Sequence, residues 1–245
     1  MRVDAFEDVL ARAVPAGAPL MVHLESAKGP APWESIGLIL VQGQDTRENM
    51  DQLPGAPDAA GAVQLPALPP GAGAVGLDLR PAVETLDAGA LRAFTIAKCA
   101  RQLPEDVTGK VRVRRLQSCK ALVRVGDAPG NAAAALNETS QRAEIATRMD
   151  PTRATIGSDI AFAISIDGTD VEDERVIATC IATGREQEVE SREGGAGSFR
   201  ITAAGPWRVE FHRLERAGAG SDADWVLTSA TLTFDVPATK PEARP

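Results

Sequence analysis

The chain has 245 residues, enough for one large domain or two ordinary ones. Its 44% hydrophobic and 24% charged residues match a soluble globular protein with a buried core. A formal net charge of −8 argues against nucleic acid, whose phosphates are gripped by clustered Lys and Arg. No apolar run approaches the ~18 to 20 residues that span a bilayer.

In chain order, strand signals dominate. Met1-Arg2 leads straight into VDAFEDVL with no apolar core of a signal peptide. In APLMVHLES, Leu20, Val22 and Leu24 alternate with Met21, His23 and Glu25, the pattern of a half-buried strand. Ile36 to Val41 is apolar at nearly every position and reads as a strand covered on both faces. Residues 43 to 74 are rich in Gly, Pro, Asp and Asn and read as loop, with one short strand in AVQLPAL. AVGLDL alternates again. Asp87 is an N-cap for a helix near 87–102 that carries Leu91, Phe94 and Ile96 or Ala97 inward and stops before Pro104. VRVRRL and KALVRVG read as two further strands.

From Asp127 to Glu138 the composition shifts to Gly, Pro, Ala and Asn, the mark of a linker or a long surface connection. A second series of strands follows. DIAFAISI sets Phe162, Ile164 and Ile166 on one face, and RVIATCIA and SFRIT come next. WRVEFHRL buries Trp207, Val209 and Phe211 while turning Arg208, Glu210 and His212 outward, and ATLTFDV repeats the pattern. The expected fold is mainly β, with two β-sandwich domains. An N-terminal domain spans 1–128 with one packed helix, an immunoglobulin-like or transthyretin-like sandwich spans 143–238, and 239–245 is a disordered tail.

The order of these pieces resembles a bacterial family of unknown function often labelled the periplasmic component of nickel or cobalt uptake (NikM-like). VDAFEDVLARAVPAGAPLMVHL is similar to that family's mature start, LDAGALRAF to its helix, and VRRLQSCKALVRVGD to its lysine-containing strand. MDPTRATIGSDIAFAISIDG resembles the opening of its second domain, and GPWRVEFHRL with DADWVLTSATLTF its closing hairpin. The resemblance covers nearly the whole chain. It implies a periplasmic or secreted location, a leader lying upstream of Met1, and an accessory role in divalent metal handling. The family's opening histidine falls at Val3 here, which weakens the metal reading.

Chemistry-bearing residues are few. The two histidines, His23 and His212, each share a strand face with a glutamate two residues away, Glu25 and Glu210. Each pair offers a nitrogen and an oxygen to Ni²⁺, Co²⁺ or Zn²⁺. A closed site needs about four ligands, so the competing reading is solvent-facing strand positions. Cys99, Cys119 and Cys180 lack zinc-site spacing. A Cys99–Cys119 disulfide and three buried free thiols are both compatible with the sequence. Cys180, in an apolar strand, reads as inert packing.

Asp167, Asp170, Glu172, Asp173 and Glu174 crowd one short stretch but miss the calcium-loop spacing, and read as an acidic turn. GAGAVG, residues 71 to 76, is a literal G-x-G-x-x-G. Pro69-Pro70 precedes it and strand-like residues follow, so it reads as a turn and not a dinucleotide fingerprint. The densest basic run is Arg112, Arg114, Arg115, Lys120 and Arg124, of which Arg112, Arg114 and Arg124 alternate with valines, as solvent faces of strands do. Trp33 and Trp225 form a sugar platform in one reading and core or interface packing in another. No nucleophile elbow or base motif is present, and the expected role is non-enzymatic. The chain reads as an envelope binding or accessory protein whose partner is a metal ion or an envelope protein. The alternative is a structural or adhesive sandwich module that holds protein or glycan at the cell surface.

Overall fold

The computed structural model describes residues 7–11, 15–26, 29–30, 35–43, 47–50, 55–58, 62–126 and 138–238, with side chains described at 15–23 and from 35 onward within those spans. The first part carries β1 (Glu7–Ala11), β2 (Leu20–Ser26), β3 (Gly29–Pro30), β4 (Ile36–Gln42), β5 (Arg47–Met50), β6 (Ala62–Leu65), β7 (Gly71–Leu79) and β8 (Ala82–Asp87). Helix α1 (Ala88–Lys98) and strand β9 (Lys110–Val125) complete it. Then come β10 (Ala143–Thr147), β11 (Asp159–Ile166), β12 (Thr169–Asp170), β13 (Arg175–Cys180), β14 (Arg185–Glu190), β15 (Ala196–Arg200), β16 (Gly205–Arg216) and β17 (Trp225–Val236). The fold is mainly β. The expected linker at 127–137, the tail at 239–245, Val3 and Trp33 lie outside the described residues.

Three sheets form. The long one runs β14-β13-β16-β17-β9-β7-β4-β5, with β8 beside the first part of β9. The others are small: β1-β2-β3 with β6 on β2, and β10-β11-β12 with β15 on β11. Period-two alternation decides which face of the long sheet each small sheet covers. Cys119, Ala121, Val123 and Val125 of β9 pack with Val75 and Leu77 of β7 against Leu20, Val22, Val63 and Leu65 of the first small sheet. Ala230, Leu232, Phe234 and Val236 of β17 pack instead against Ile145, Ile160, Phe162, Ile164 and Phe199 of the second. Leu232 pairs with Lys120 and Thr231 with Cys119, so Leu232 and Cys119 point to opposite faces. Two sandwiches therefore share one sheet and hang from its two sides.

The second sandwich is immunoglobulin-like. Strands β10, β11 and β15 face β14-β13-β16-β17, antiparallel throughout, and the chain crosses between layers three times. Its centre is aromatic: Phe199 lies 5.9 Å from Trp207, 6.1 Å from Phe162 and 6.3 Å from Phe234, ring centre to ring centre.

The expected division between residues 128 and 143 is no break in the sheet. Strands β9 and β17 form a parallel ladder of nine residue pairs, from Val113↔Trp225 to Ala121↔Thr233. VRVRRL and KALVRVG, expected as two strands, are one sixteen-residue strand. The polar residues between them, Gln117 and Ser118, do not face water, and neither does Lys120 at the start of the second segment: all three are buried. GAGAVG is not a turn but the start of β7, whose nine residues are all buried. Both faces of that strand are approached closely. A Cβ on Gly73 would meet Leu68 at 2.5 Å, and one on Gly76 would meet the Gln141 amide at 2.9 Å. The glycines supply clearance, not phosphate contacts. Strand β5, within the span read as loop, is an exposed edge.

Helix α1 starts where expected, with Asp87 Oδ1 accepting from the backbone N–H groups of Gly89 (2.9 Å) and Ala90 (3.1 Å), a cap worth about 1 kcal/mol. It stops at Lys98, earlier than the sequence indicates, because Cys99 turns extended and bridges to His212 on β16. Leu91 and Phe94 are buried with Leu214, Trp225 and Leu227, whereas Ile96 is half exposed.

At the join between the sandwiches, Lys120 Nζ donates to Glu144 Oε1 at 2.7 Å, with side chains 3% and 2% exposed. The Glu144 carboxylate also accepts from the backbone N–H groups of Thr139 (2.7 Å) and Ser140 (3.1 Å). Glu144→Ala is expected to cost about 3–5 kcal/mol, because it strands a buried ammonium. Lys120→Met combined with Glu144→Gln should recover part of that, since Gln still accepts from Thr139. Urea unfolding midpoints of the variants check this.

Candidate functional site

His212 lies on the face of β16 that α1 covers. Alternation correctly groups Arg208, Glu210 and His212, but the face they share is not solvent. His212 is fully buried. Its Nδ1 is 2.9 Å from Ser229 Oγ on β17, its ring meets Phe94 of α1 edge-on at 5.3 Å, and its Nε2 is 3.7 Å from Glu210 Oε2. Glu210, itself 2% exposed, accepts from Lys98 Nζ at the end of α1 at 2.7 Å and lies 3.4 Å from Arg208 Nε. Burial alone would raise the Glu210 pKa. The hydrogen bond and charge of His212, with Arg208 and Lys98, outweigh it and hold the carboxyl well below its ordinary range. The cluster therefore pins the helix to the sheet.

The other expected ligands are elsewhere. His23 is half buried on β2, between Leu10 of β1 and Ala62 of β6. Glu25 pairs through its backbone with Asp8 and Pro30, and its side chain lies outside those described. The two histidines sit in different sheets. Among the described residues no three His, Cys, Asp or Glu side chains come together to hold a metal ion.

Of the two readings of the cysteines the structure has the free thiols: Cys99, Cys119 and Cys180 are all free and buried. Cys99 packs in the cluster under α1 and Cys119 in the core of the first sandwich. Burial, then the nearby charge of Glu174, pushes the Cys99 thiol up to about 12. It is no nucleophile at neutral pH.

The acidic run divides. Asp167, Asp170, Glu172 and Asp173 are exposed around a turn, but Glu174 is fully buried. Part of the basic run is neutralised locally. Arg112 pairs with Asp224 at 2.9 Å, Arg114 with Asp222 at 2.5 Å, and Arg115 Nη1 lies 3.6 Å from Glu84. Trp225 is buried with Arg216 stacked over it at 4.9 Å, and Trp207 is fully buried with its Nε1 donating to Ala203 O at 3.0 Å. Neither offers a sugar platform.

An open groove of about 400 Å³ runs beside the end of α1, lined by Ala100, Arg175, Glu188, Val189 and Glu190. Arg175 donates to Ile96 O of α1 at 2.8 Å and lies 3.5 Å from Glu188. Periodicity gave no signal for Glu174 or for the part played by Lys98, because both depend on where the helix lands.

No known family profile matches the chain, and no curated protein matches it. Among solved structures it is similar to a tetra-tandem repeat from the extending region of a large adhesion protein, at 11% identity over 92% of this chain and 50% of that one, with TM-score 0.23. It is also similar to three N-terminal domains of the bacteriophage RB49 outer capsid protein Hoc (7% identity, 94% and 71% covered, TM-score 0.21). A third is the FN1–FN3 segment of chicken CNTN1 (10% identity, 92% and 62% covered, TM-score 0.19). The chain spans half the length of the adhesion-protein fragment. At these scores the likeness carries no argument, and the immunoglobulin-like assignment stands on the strand order itself.

Two outcomes are expected. Denatured, unreduced protein should titrate as three free thiols. His212→Ala should destabilise the fold by about 2–4 kcal/mol through the cavity and the lost hydrogen bond, read as a lower unfolding midpoint.

Proposed function

We propose that this chain is a non-catalytic β-sandwich module of the bacterial cell envelope that acts by holding a protein partner or spacing one. The observation that supports this reading is the state of His212. The histidine that contacts a carboxylate is sealed beneath α1, and its neighbours Glu210, Lys98 and Ser229 are engaged in holding that helix down. General acid–base chemistry needs such a pair at a reachable surface. A protein partner is favoured over a glycan because, among the described residues, the tryptophans Trp207 and Trp225 are both buried.

The metal-handling role implied by the resemblance is the competing proposal. It would rest on His23 with Glu25, or on His212 with Glu210. Each pair alone supplies two ligands, which leaves an ion most of its water.

Calorimetric titration with Ni²⁺ and Co²⁺ at neutral pH distinguishes the two. The module reading expects dissociation constants on the order of 0.1 mM or weaker, unaltered by His23→Ala. One tight site per chain, lost in His23→Ala or in folded His212→Ala, would overturn it in favour of metal handling.

A further inference from the structure

Glu174 is a carboxylate out of place. It precedes β13, is fully buried, and neither of its oxygens accepts a hydrogen bond from any described residue. The groups facing it come from each element packed around it. From β16, Arg213 Nε lies 3.6 Å away and is shared with Glu215 at 2.7 Å. From the segment leaving α1, Arg101 acts on it and lies 4.0 Å from Glu215, and the Cys99 thiol feels its charge. On its own segment, Asp173 opposes ionisation and Arg175 ties to the Ile96 carbonyl of α1. Ser191 contacts only its backbone: Oγ accepts from the Glu174 N–H at 3.0 Å, and the Ser191 N–H donates to the Glu174 carbonyl at 2.9 Å.

This residue sits at a seam. Cys99 leaves the helix and lies beside His212 on β16, and Ala100 and Arg175, the immediate neighbours of Cys99 and Glu174, line the open groove. We infer that the seam between the end of α1 and the β13–β16 pair is a pH-sensitive latch, closed while Glu174 carries its proton and loosened when it does not. A neutral carboxylic acid tolerates a dry site whose nearest guanidinium, that of Arg213, stands 3.6 Å away and gives it no hydrogen bond, and a carboxylate demands solvation. Opening at the groove delivers water to it without unfolding either sandwich.

Burial dominates the Glu174 environment. Arg213 and Arg101 oppose it, and the net effect raises the pKa from 4.5 to about 7. The sign follows from linkage. A carboxyl whose closed-state pKa is raised favours the closed state fully below about 4.5 and loses that contribution as pH climbs through about 7. With those two values, the opening constant of the seam should rise about tenfold between pH 6 and pH 8.

Hydrogen exchange of the intact chain, corrected for the intrinsic pH dependence of exchange, reads this directly. Peptides covering 88–107 and 171–178 should lose about tenfold in protection from pH 6 to pH 8, while β11 stays level. Glu174→Gln should abolish the step. A level wild-type profile would overturn the latch outright, even if Glu174→Gln failed to fold. A step that survives in folded Glu174→Gln would overturn it too, by placing the titrating group elsewhere.

Discussion

Lys120 stands in the middle of a strand that is covered on both faces, so its ammonium has no route to water and must be met from within. Glu144 meets it, and the meeting fixes how the second part of the chain returns to the first. Burying two charges is costly. Here the cost is offset because the carboxylate also accepts the N–H groups of Thr139 and Ser140, the first of which would otherwise be a buried donor. Burial pushes the Lys120 pKa down, while Lys120 and Thr139 hold Glu144 below its ordinary range against its own burial. Once residues 139–144 are seated, Gln141 reaches the carbonyls of Leu77 and Cys119 at 3.0 Å each. Strand β10 then starts over the face that Leu122 and Leu232 share.

The parallel β9–β17 ladder follows from the same geometry. A strand such as β9, buried on both sides, needs an in-plane neighbour on each edge to satisfy its backbone. β7 and β8 supply one side and β17 the other. Because the first sandwich uses the odd face of β9 and the second uses the even face, the two cores never compete for the same side chains. The helix takes what is left of the odd face, over β16 and β17. Glu210 is polar there because it meets Lys98 at the helix end, His212 holds to Ser229 beside it, and the Ile96 carbonyl is met by Arg175.

Strand content and the core of the second sandwich were readable from the sequence. Trp207, Val209, Phe211, Leu232, Phe234 and Val236 alternate cleanly because one side of each strand meets a single continuous core. Where the other side is also covered, alternation reports which residues share a face but not what lies over it. That is why Glu210 and His212 read as solvent positions and why the polar residues Gln117 and Ser118 read as a break between strands. GAGAVG failed for a related reason: small residues that admit a close neighbour look like turn residues until the neighbour is known. REQEVE carried no apolar periodicity at all, and β14 forms only because β13 offers it an edge. The Asp87 cap was legible, being local. The helix end was not, because it is set by the distant bridge from Cys99 to His212.

The edge at β14 also bears on how a sandwich module avoids joining its own copies. Two antiparallel strands related by a two-fold axis can pair only residues that point to the same face, so the register must match even with even and odd with odd. Centred on Glu188, such a pairing opposes Glu188 to Glu188 and Glu186 to Glu190. Centred on Gln187, it opposes Glu186 to Glu188. Each register sets exposed carboxylates against one another, and like charges directly across a ladder are destabilising. Gln187 meanwhile holds the other side of the edge closed, exchanging hydrogen bonds with the backbone of Arg200 on β15 at 2.7 and 3.0 Å. An open strand of a long sheet is thereby guarded against self-addition.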